Sequence, residues 1–227
     1  FWDQLLHSPK EITTGNGQPY TVYTPFWRNW SGRSKEAPVM PLQNATGLDE
    51  SERRAAQQAG AIALPTARDL GFVWDNGFSV DPGEAAALEL LEEFSNATIY
   101  DYREQRNFPA NPGTSRLSAA LKFGAIGVRT VWKATVDALE TTRSDEARGG
   151  IQTWQQELAW REFYQHALYW FPELGQGPYR NVLKDFPWDD NDEYFQAWCE
   201  GRTGYPIVDA AMHQMNQSGW MHNRCRM

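Results

Sequence analysis

WQQELAWREFYQHALYWF, residues 154–171, decides how this chain is read. It holds three Trp, two Tyr and two Phe, yet sets Glu157 and Arg161 among them. A core helix favours Leu and Ile over that much polarity, and a surface helix carries fewer large rings. Residues three and four apart share a helix face. Glu157 therefore stands beside Trp160 and Arg161, Trp160 beside Tyr164, and Trp154 one turn before Glu157. One side offers a flat ring between a carboxylate and a guanidinium, as a site for something flat and partly charged would. The plainer reading is a Glu157–Arg161 pair, worth ~0.3–0.5 kcal/mol, beside core aromatics. This stretch alone does not separate the two.

At 227 residues the chain is long enough for one sizeable domain, or one domain with part of another. A hydrophobic content of 41% places it among globular proteins, and no apolar run approaches the ~18 residues of a membrane helix. Eleven Trp are an excess, because each buried indole N–H needs a partner, and they point to rings with a second task. The net charge of −8 argues against a surface that grips nucleic acid throughout, though it is compatible with a local basic face. Cys199 and Cys225 form neither a metal spacing nor a disulfide framework, so a reduced, intracellular setting is expected. The chain starts at Phe1 and stops at GWMHNRCRM without a boundary signal, which suggests an internal fragment of a longer protein. The lack of a targeting segment then carries no information.

Outward from the central stretch, QPYTVYTPFW (residues 18–27) is β-branched, aromatic and closed by Pro, and predicts a strand from a sheet lying mostly upstream. Residues 28–82 are rich in loop signals and read as a connector, with a modest helix over 51–63. From residue 84 the pattern is helical, with Leu88, Leu91 and Phe94 at helix spacing. Further helices are predicted over 115–123, 128–140, 145–169, 192–200 and 206–218, and from about residue 84 the chain reads as all-α.

Two more segments bear on chemistry. In NPGTSRLSAALKFG a loop meets a helix start, with hydroxyls at Thr114, Ser115 and Ser118 and charge at Arg116 and Lys122. A helix start offers free N–H groups to an anion. An ordinary N-cap at Thr114 or Ser115 is the favoured reading of that segment by itself. In GWMHNRCRM, Trp220, His222, Asn223 and Arg224 follow a Gly, and the end of the chain is locally basic. No Ser/His/Asp order, zinc spacing or phosphate-binding P-loop occurs. A bound organic cofactor fits better than side-chain chemistry alone.

GTSRLS, WQQELAWREFYQH and GYPIVDAAMHQMNQSGWMHNRCRM, in this order, resemble the photolyase/cryptochrome family, most closely its bacterial class I branch acting on cyclobutane pyrimidine dimers. TPFWRNW and DYREQRNFPA extend the match, which is weakest over residues 31–63. The resemblance implies a mainly α fold in three parts. Residues 1–30 would be the C-terminal tail of an α/β antenna domain, 31–83 an interdomain linker, and 84–227 the truncated all-helical FAD-binding domain. It implies light-driven DNA repair by electron transfer from reduced FAD to a flipped-out dimer, a carbon–carbon lyase reaction without net redox change.

Tyr102, Thr114, Ser115, Arg116, Leu117 and Ser118 would then bind FAD, the hydroxyl-rich turn holding its diphosphate, which overrides the N-cap reading. Trp154, Glu157 and Arg161 would line the flavin cavity, and Glu157 would also hydrogen-bond the dimer. Trp160 would stack on the flipped dimer, with Tyr164 beside it on the DNA side. Asn223 would sit between flavin and substrate, and Met227 near the dimer. Arg106 and Arg224 are candidates for the rim that meets DNA phosphates. Trp188 matches the outermost member of the family's tryptophan electron relay.

The antenna chromophore, deazaflavin or folate, is not named by these residues. Much of the flavin pocket would lie beyond Met227, so residues 1–227 alone are expected to bind FAD poorly and repair nothing. The implied setting is the bacterial cytoplasm, on nucleoid DNA, as a monomer with UV-damaged DNA as its partner and with no membrane and no obligatory protein partner. The alternative is a cryptochrome without repair activity. Glu157, Trp160 and Met227 favour dimer repair over it, and over a His-centred (6-4) enzyme. A non-enzymatic helical module would explain the Trp count but not the ordered motifs.

Overall fold

Where the described residues form regular structure they form helices, because their apolar residues recur at helix spacing. The structure, a computed structural model, describes residues 4–39, 47–177, 182, 186–187 and 189–226. Among the described residues there is no strand. The α-helices are α1 (Tyr23–Ser31), α2 (Glu50–Gln58), α3 (Glu84–Asn96), α4 (Tyr102–Gln105), α5 (Ser118–Phe123), α6 (Val128–Thr141), α7 (Asp145–Trp170), α8 (Asp192–Glu200) and α9 (Pro206–Ser218). Short 3-10 turns occupy Thr98–Asp101, Pro172–Gly175 and Asn223–Cys225.

The strand expected over residues 18–27 is replaced by an irregular lead-in and then α1. Phe26 and Trp30, four residues apart, are both buried and share one face of α1. Pro25 does not close a strand. It sits in the first turn of α1, where its missing N–H costs no helical bond. The expected helices over 192–200 and 206–218 stand as α8 and α9, and the others shift at their ends. On α3 the buried face is Ala87, Leu91 and Phe94, while Leu88 points outward.

The chain divides into two units: Phe1–Pro38 with Phe78–Met227, and Val39–Gly77. Within the second, α2 is capped by a reciprocal Asp49–Glu52 box and buries no residue. In the first, α7 is the central element. Ser144 caps it by accepting from the Ala147 N–H at 3.3 Å, and Asp145 and Glu146 complement the positive end of its dipole. Its buried stripe runs Ile151, Trp154, Leu158, Ala159, Phe163, at helical spacing. Against it pack Phe26 and Trp30 of α1, Leu91 and Phe94 of α3, and Val128 and Val131 of α6. Gly150 lets α7 approach the turn at Ile99–Tyr100: a Cβ there would lie 2.2 Å from the Tyr100 carbonyl oxygen.

The polarity of α7 has a packing explanation. Gln155, Glu162 and His166 lie in the buried stripe and each is hydrogen-bonded. Gln155 donates to Thr135 Oγ1 at 2.8 Å, and His166 Nε2 is 3.0 Å from the His7 carbonyl oxygen. Glu162 accepts from the backbone N–H groups of Leu6 and His7 and from Trp30 Nε1, the last at 2.7 Å. These bonds staple the segment before α1 onto α7. Near the C-terminus, Ala211, Met212 and Met221 form a smaller apolar cluster beneath α9.

Candidate functional site

Three rings from three elements make the floor of the site. Phe94 of α3 meets Tyr102 of α4 edge-on at 5.8 Å, and Trp154 of α7 at 5.1 Å with a 47° tilt. Tyr102 and Trp154 are both buried, so their exposed surface is small and their rings serve as wall and core together. Burial, with the nearby Glu157 carboxylate, pushes the Tyr102 phenol up to about 12 and keeps it protonated.

One turn along α7 from Trp154, the half-buried Glu157 is ion-paired with Arg106. That pairing replaces the Glu157–Arg161 pair open to the sequence. Arg106 follows α4 and reaches Glu157 from across the site. Arg161 turns instead to backbone oxygens, those of Gln4 and of Leu121, the latter at 3.3 Å. Leu121 lies in the last turn of α5, where carbonyls lack helical partners and attract a cation. Arg161 thereby fixes α5 to α7, close behind Trp160.

Trp160 is half-buried, and its plane lies 7° from that of Tyr23, ring centres 3.5 Å apart. Tyr164, one turn on and 65% exposed, has its ring 5.6 Å from that of Trp160. The aromatic face read from the sequence is present, and it opens outward at Tyr164.

The loop over residues 113–118 approaches from the other side. Gly113 is buried, and a Cβ there would lie 2.7 Å from the Gln105 carbonyl oxygen, so the loop is drawn tight against α4. Helix α5 starts at Ser118, and its boundary residue is Leu117, which is 1% exposed. Neither Thr114 nor Ser115 caps it. Ser115 Oγ accepts from the Leu117 N–H at 3.4 Å, a local turn that competes with helix. Among the described residues the hydroxyls of Thr114 and Ser118 have no hydrogen bond, and remain available to a ligand. Arg116 is the one non-glycine residue with positive φ, 53°, among those described. Its guanidinium lies 5.1 Å from the ring centre of Trp220. The strained backbone thus aims that side chain across to the C-terminal segment.

The C-terminal turn joins the same neighbourhood. Arg224 donates to Asn107 Oδ1 at 2.6 Å, immediately after Arg106 in the chain. His222 is buried and its Nδ1 accepts from the Arg224 N–H at 3.1 Å; burial depresses its basicity. Asn223 is exposed beside it. The structure thus brings Tyr102, Arg106, Trp154 and Glu157 together, links Arg224 to them through Asn107, and links Arg116 to the C-terminal turn through Trp220. Trp188 and Met227 lie outside the described residues. Tyr23 and Asn107 were not singled out by residue-level reading, and neither was the Arg116–Trp220 contact, because each acts through a contact distant in sequence. The described residues contain no cluster of His, Cys, Asp and Glu suited to a metal. No helix among them is long and apolar enough to cross a membrane.

Two family models match the chain: "FAD binding domain of DNA photolyase" over residues 154–227 and "DNA photolyase" over residues 1–44. The deoxyribodipyrimidine photo-lyase of a Synechococcus species is 55% identical over 226 residues, covering 100% of this chain and 47% of the relative. A class III photolyase crystal structure from Agrobacterium tumefaciens superposes with a TM-score of 0.76 at 40% identity, over 98% of this chain and 45% of that one. A Synechocystis cryptochrome shares the fold, with a TM-score of 0.77 at 21% identity over 100% of this chain and 46% of its own. The chain spans about half the length of the curated relatives it matches. On these matches and this helical architecture, the chain belongs to the photolyase/cryptochrome family.

Proposed function

We propose that this chain forms the first part of the flavin and substrate site of an enzyme that repairs cyclobutane pyrimidine dimers in DNA under blue light. The observation that carries the reading is the Glu157–Arg106 pair beside the outward-opening ring of Trp160. A carboxylate, a guanidinium and a flat ring meet at one half-buried face. Photolyase names among relatives up to 55% identical support it.

The residues present fit FAD. Thr114, on a loop that Gly113 draws tight, and Ser118, at the start of α5, hold free hydroxyls as a diphosphate cradle needs, and Arg116 stands between them in the chain. Ser115 and Leu117 shape that loop. Tyr102, Trp154 and Arg161 bound the adjoining wall, and Asn223 stands on the C-terminal side. Reduced FAD, when bound, supplies the light-excited electron that the dimer accepts and later returns.

The chain's own groups handle the substrate. Trp160, with Tyr164 at its edge, offers a π-face to the unstacked dimer in place of its lost neighbours. Glu157 hydrogen-bonds the dimer where charge builds during ring opening. Arg106 and Arg224 meet the flanking phosphates, as sequence-independent anchors. Asn223 and Met227 border the dimer, and Trp188 belongs to the relay that delivers electrons to the flavin. No net oxidation results: two carbon–carbon bonds of the cyclobutane ring break and the electron goes back.

In domain terms, residues 1–30 form the antenna-domain tail, 31–83 the linker and 84–227 the FAD-binding domain. The antenna chromophore is a deazaflavin or a folate, and the enzyme acts as a monomer on chromosomal DNA. Residues 1–227 alone bind FAD weakly and lack repair activity. The test is repair of a defined thymine dimer by the full-length, FAD-loaded protein, wild type against Glu157→Gln. Light-dependent loss of the dimer, slowed by the substitution, is the expected result. Bound FAD with no repair would move the reading to a cryptochrome.

A further inference from the structure

Trp160 is held in an unusual manner for an indole. Among the described residues its N–H makes no hydrogen bond, and rings surround it. Phe163 meets it edge-on at 5.6 Å and Tyr164 lies beside it at 24°. The tightest of these contacts is with Tyr23, face to face at 3.5 Å and 7°.

Tyr23 is itself fixed at both ends. Its hydroxyl donates to the Gln156 carbonyl oxygen at 2.8 Å. That carbonyl opens the helical turn that ends at Trp160, four residues on. The ring and the hydroxyl of one side chain therefore clamp the same turn of α7, the turn that also carries Glu157. Phe163 braces Tyr23 edge-on at 5.9 Å. Burial, then the Glu157 charge, raises the phenol well above its ordinary value, so it stays a hydrogen-bond donor across the working range. Tyr23 belongs to the region matching the DNA photolyase model, and Trp160 to that matching the FAD-binding model.

We propose that Tyr23 is a positioning residue for dimer recognition: it covers one face of Trp160, locks the indole plane, and leaves only the opposite face for the flipped pyrimidine pair. The proposal rests on the function given above. Its physical basis is pre-organisation. A ring already held in its bound orientation loses less freedom when a base stacks on it. Without its backing ring, Trp160 can turn and the platform has to be rebuilt on each encounter.

The experiment uses the full-length, FAD-loaded protein in the dark, with a duplex carrying one thymine dimer and the same duplex undamaged. Wild type is compared with Tyr23→Phe, Tyr23→Leu, Trp160→Ala and the Tyr23→Leu/Trp160→Ala pair. Tyr23→Phe keeps the ring and is expected to hold dimer affinity within about twofold. Tyr23→Leu is expected to weaken dimer binding roughly three- to tenfold. Undamaged-duplex affinity and bound-FAD absorbance should stay unchanged. In the Trp160→Ala background it should add nothing, because it acts through that ring. Should Tyr23→Leu fail to fold, Tyr23→Met fills the volume without a ring face and takes its place.

Wild-type dimer affinity in the leucine variant would overturn the proposal. So would equal loss on both duplexes and FAD, or full additivity with Trp160→Ala. If Trp160→Ala alone leaves dimer binding intact, the stacking role of Trp160 itself fails, and Tyr23's role falls with it.

Discussion

Arg106 holds the Glu157 carboxylate across the gap between the end of α4 and the middle of α7. Both side chains keep about a third of their surface, 29% and 33%, so the pair is a site contact more than a source of stability, contributing ~0–1 kcal/mol. Its members should separate functionally. Arg106→Gln is expected to weaken damaged and undamaged DNA alike and to lower the salt dependence of binding by about one phosphate contact. Glu157→Gln should leave DNA affinity nearly intact and slow light-driven repair on the order of tenfold or more. Titrations across salt concentrations, beside repair rates under steady blue light, check both.

The loop ahead of α5 should be intolerant of bulk at one point. Gly113→Ala places a Cβ 2.7 Å from the Gln105 carbonyl oxygen, and backbone must move. A stability loss of about 1–3 kcal/mol and a drop in bound FAD are expected. Denaturant midpoints and flavin absorbance per chain are the readouts. The same absorbance in variant and wild type would detach the loop from flavin binding.

A comparable constraint acts where α7 crosses the turn at Ile99–Tyr100. Gly150→Ala would set a Cβ 2.2 Å from the Tyr100 carbonyl oxygen and 2.7 Å from that of Ile99. Both are backbone atoms that cannot swing aside, so a loss of about 3 kcal/mol or more is expected. Chemical denaturation of the two proteins measures it.

Stability should fall as pH drops below about 6.5. Burial depresses both His7 and His166 to about 4, so each binds a proton in the unfolded chain before it does in the native one. Their contribution is lost as pH falls from the ordinary imidazole range through about 4. Glu162 opposes them. Burial raises it to about 7, partly offset by its three N–H donors, so its contribution is present in acid and is lost as pH rises through about 7. Two imidazoles outweigh one carboxyl where the windows overlap, and the net slope favours neutral pH. Melting temperatures between pH 4.5 and 7.5 test this, and His166→Gln should flatten the acid limb.

Most helices were legible because their cause is local. α8 and α9 have the bounds that Asn191, Gly201, Pro206 and Gly219 announce as caps and stops. Residues 18–27 misled because β-branched residues and a Pro are strand signals, and the four-residue Phe26–Trp30 spacing suits strand and helix alike. The deciding fact there, burial against α7, is a tertiary one. At the site, the shared face of Trp154, Glu157 and Trp160 was readable from helix period. The partner of Glu157 was not: Arg106 lies 51 residues away, and a four-residue neighbour, Arg161, was the nearer cation in sequence. Glu162 was not singled out by the sequence, yet it is fully buried, because its three donors come from residues before and within α1.

The most direct measurement takes the full-length protein with reduced FAD and an oligonucleotide bearing one thymine cyclobutane dimer, and follows the dimer under blue light and in darkness. Loss of the dimer in light alone, slowed by Glu157→Gln and by Trp160→Ala, is the predicted result. An undiminished dimer after illumination, with FAD demonstrably bound and reduced, would contradict a repair function and leave these residues a flavin site only.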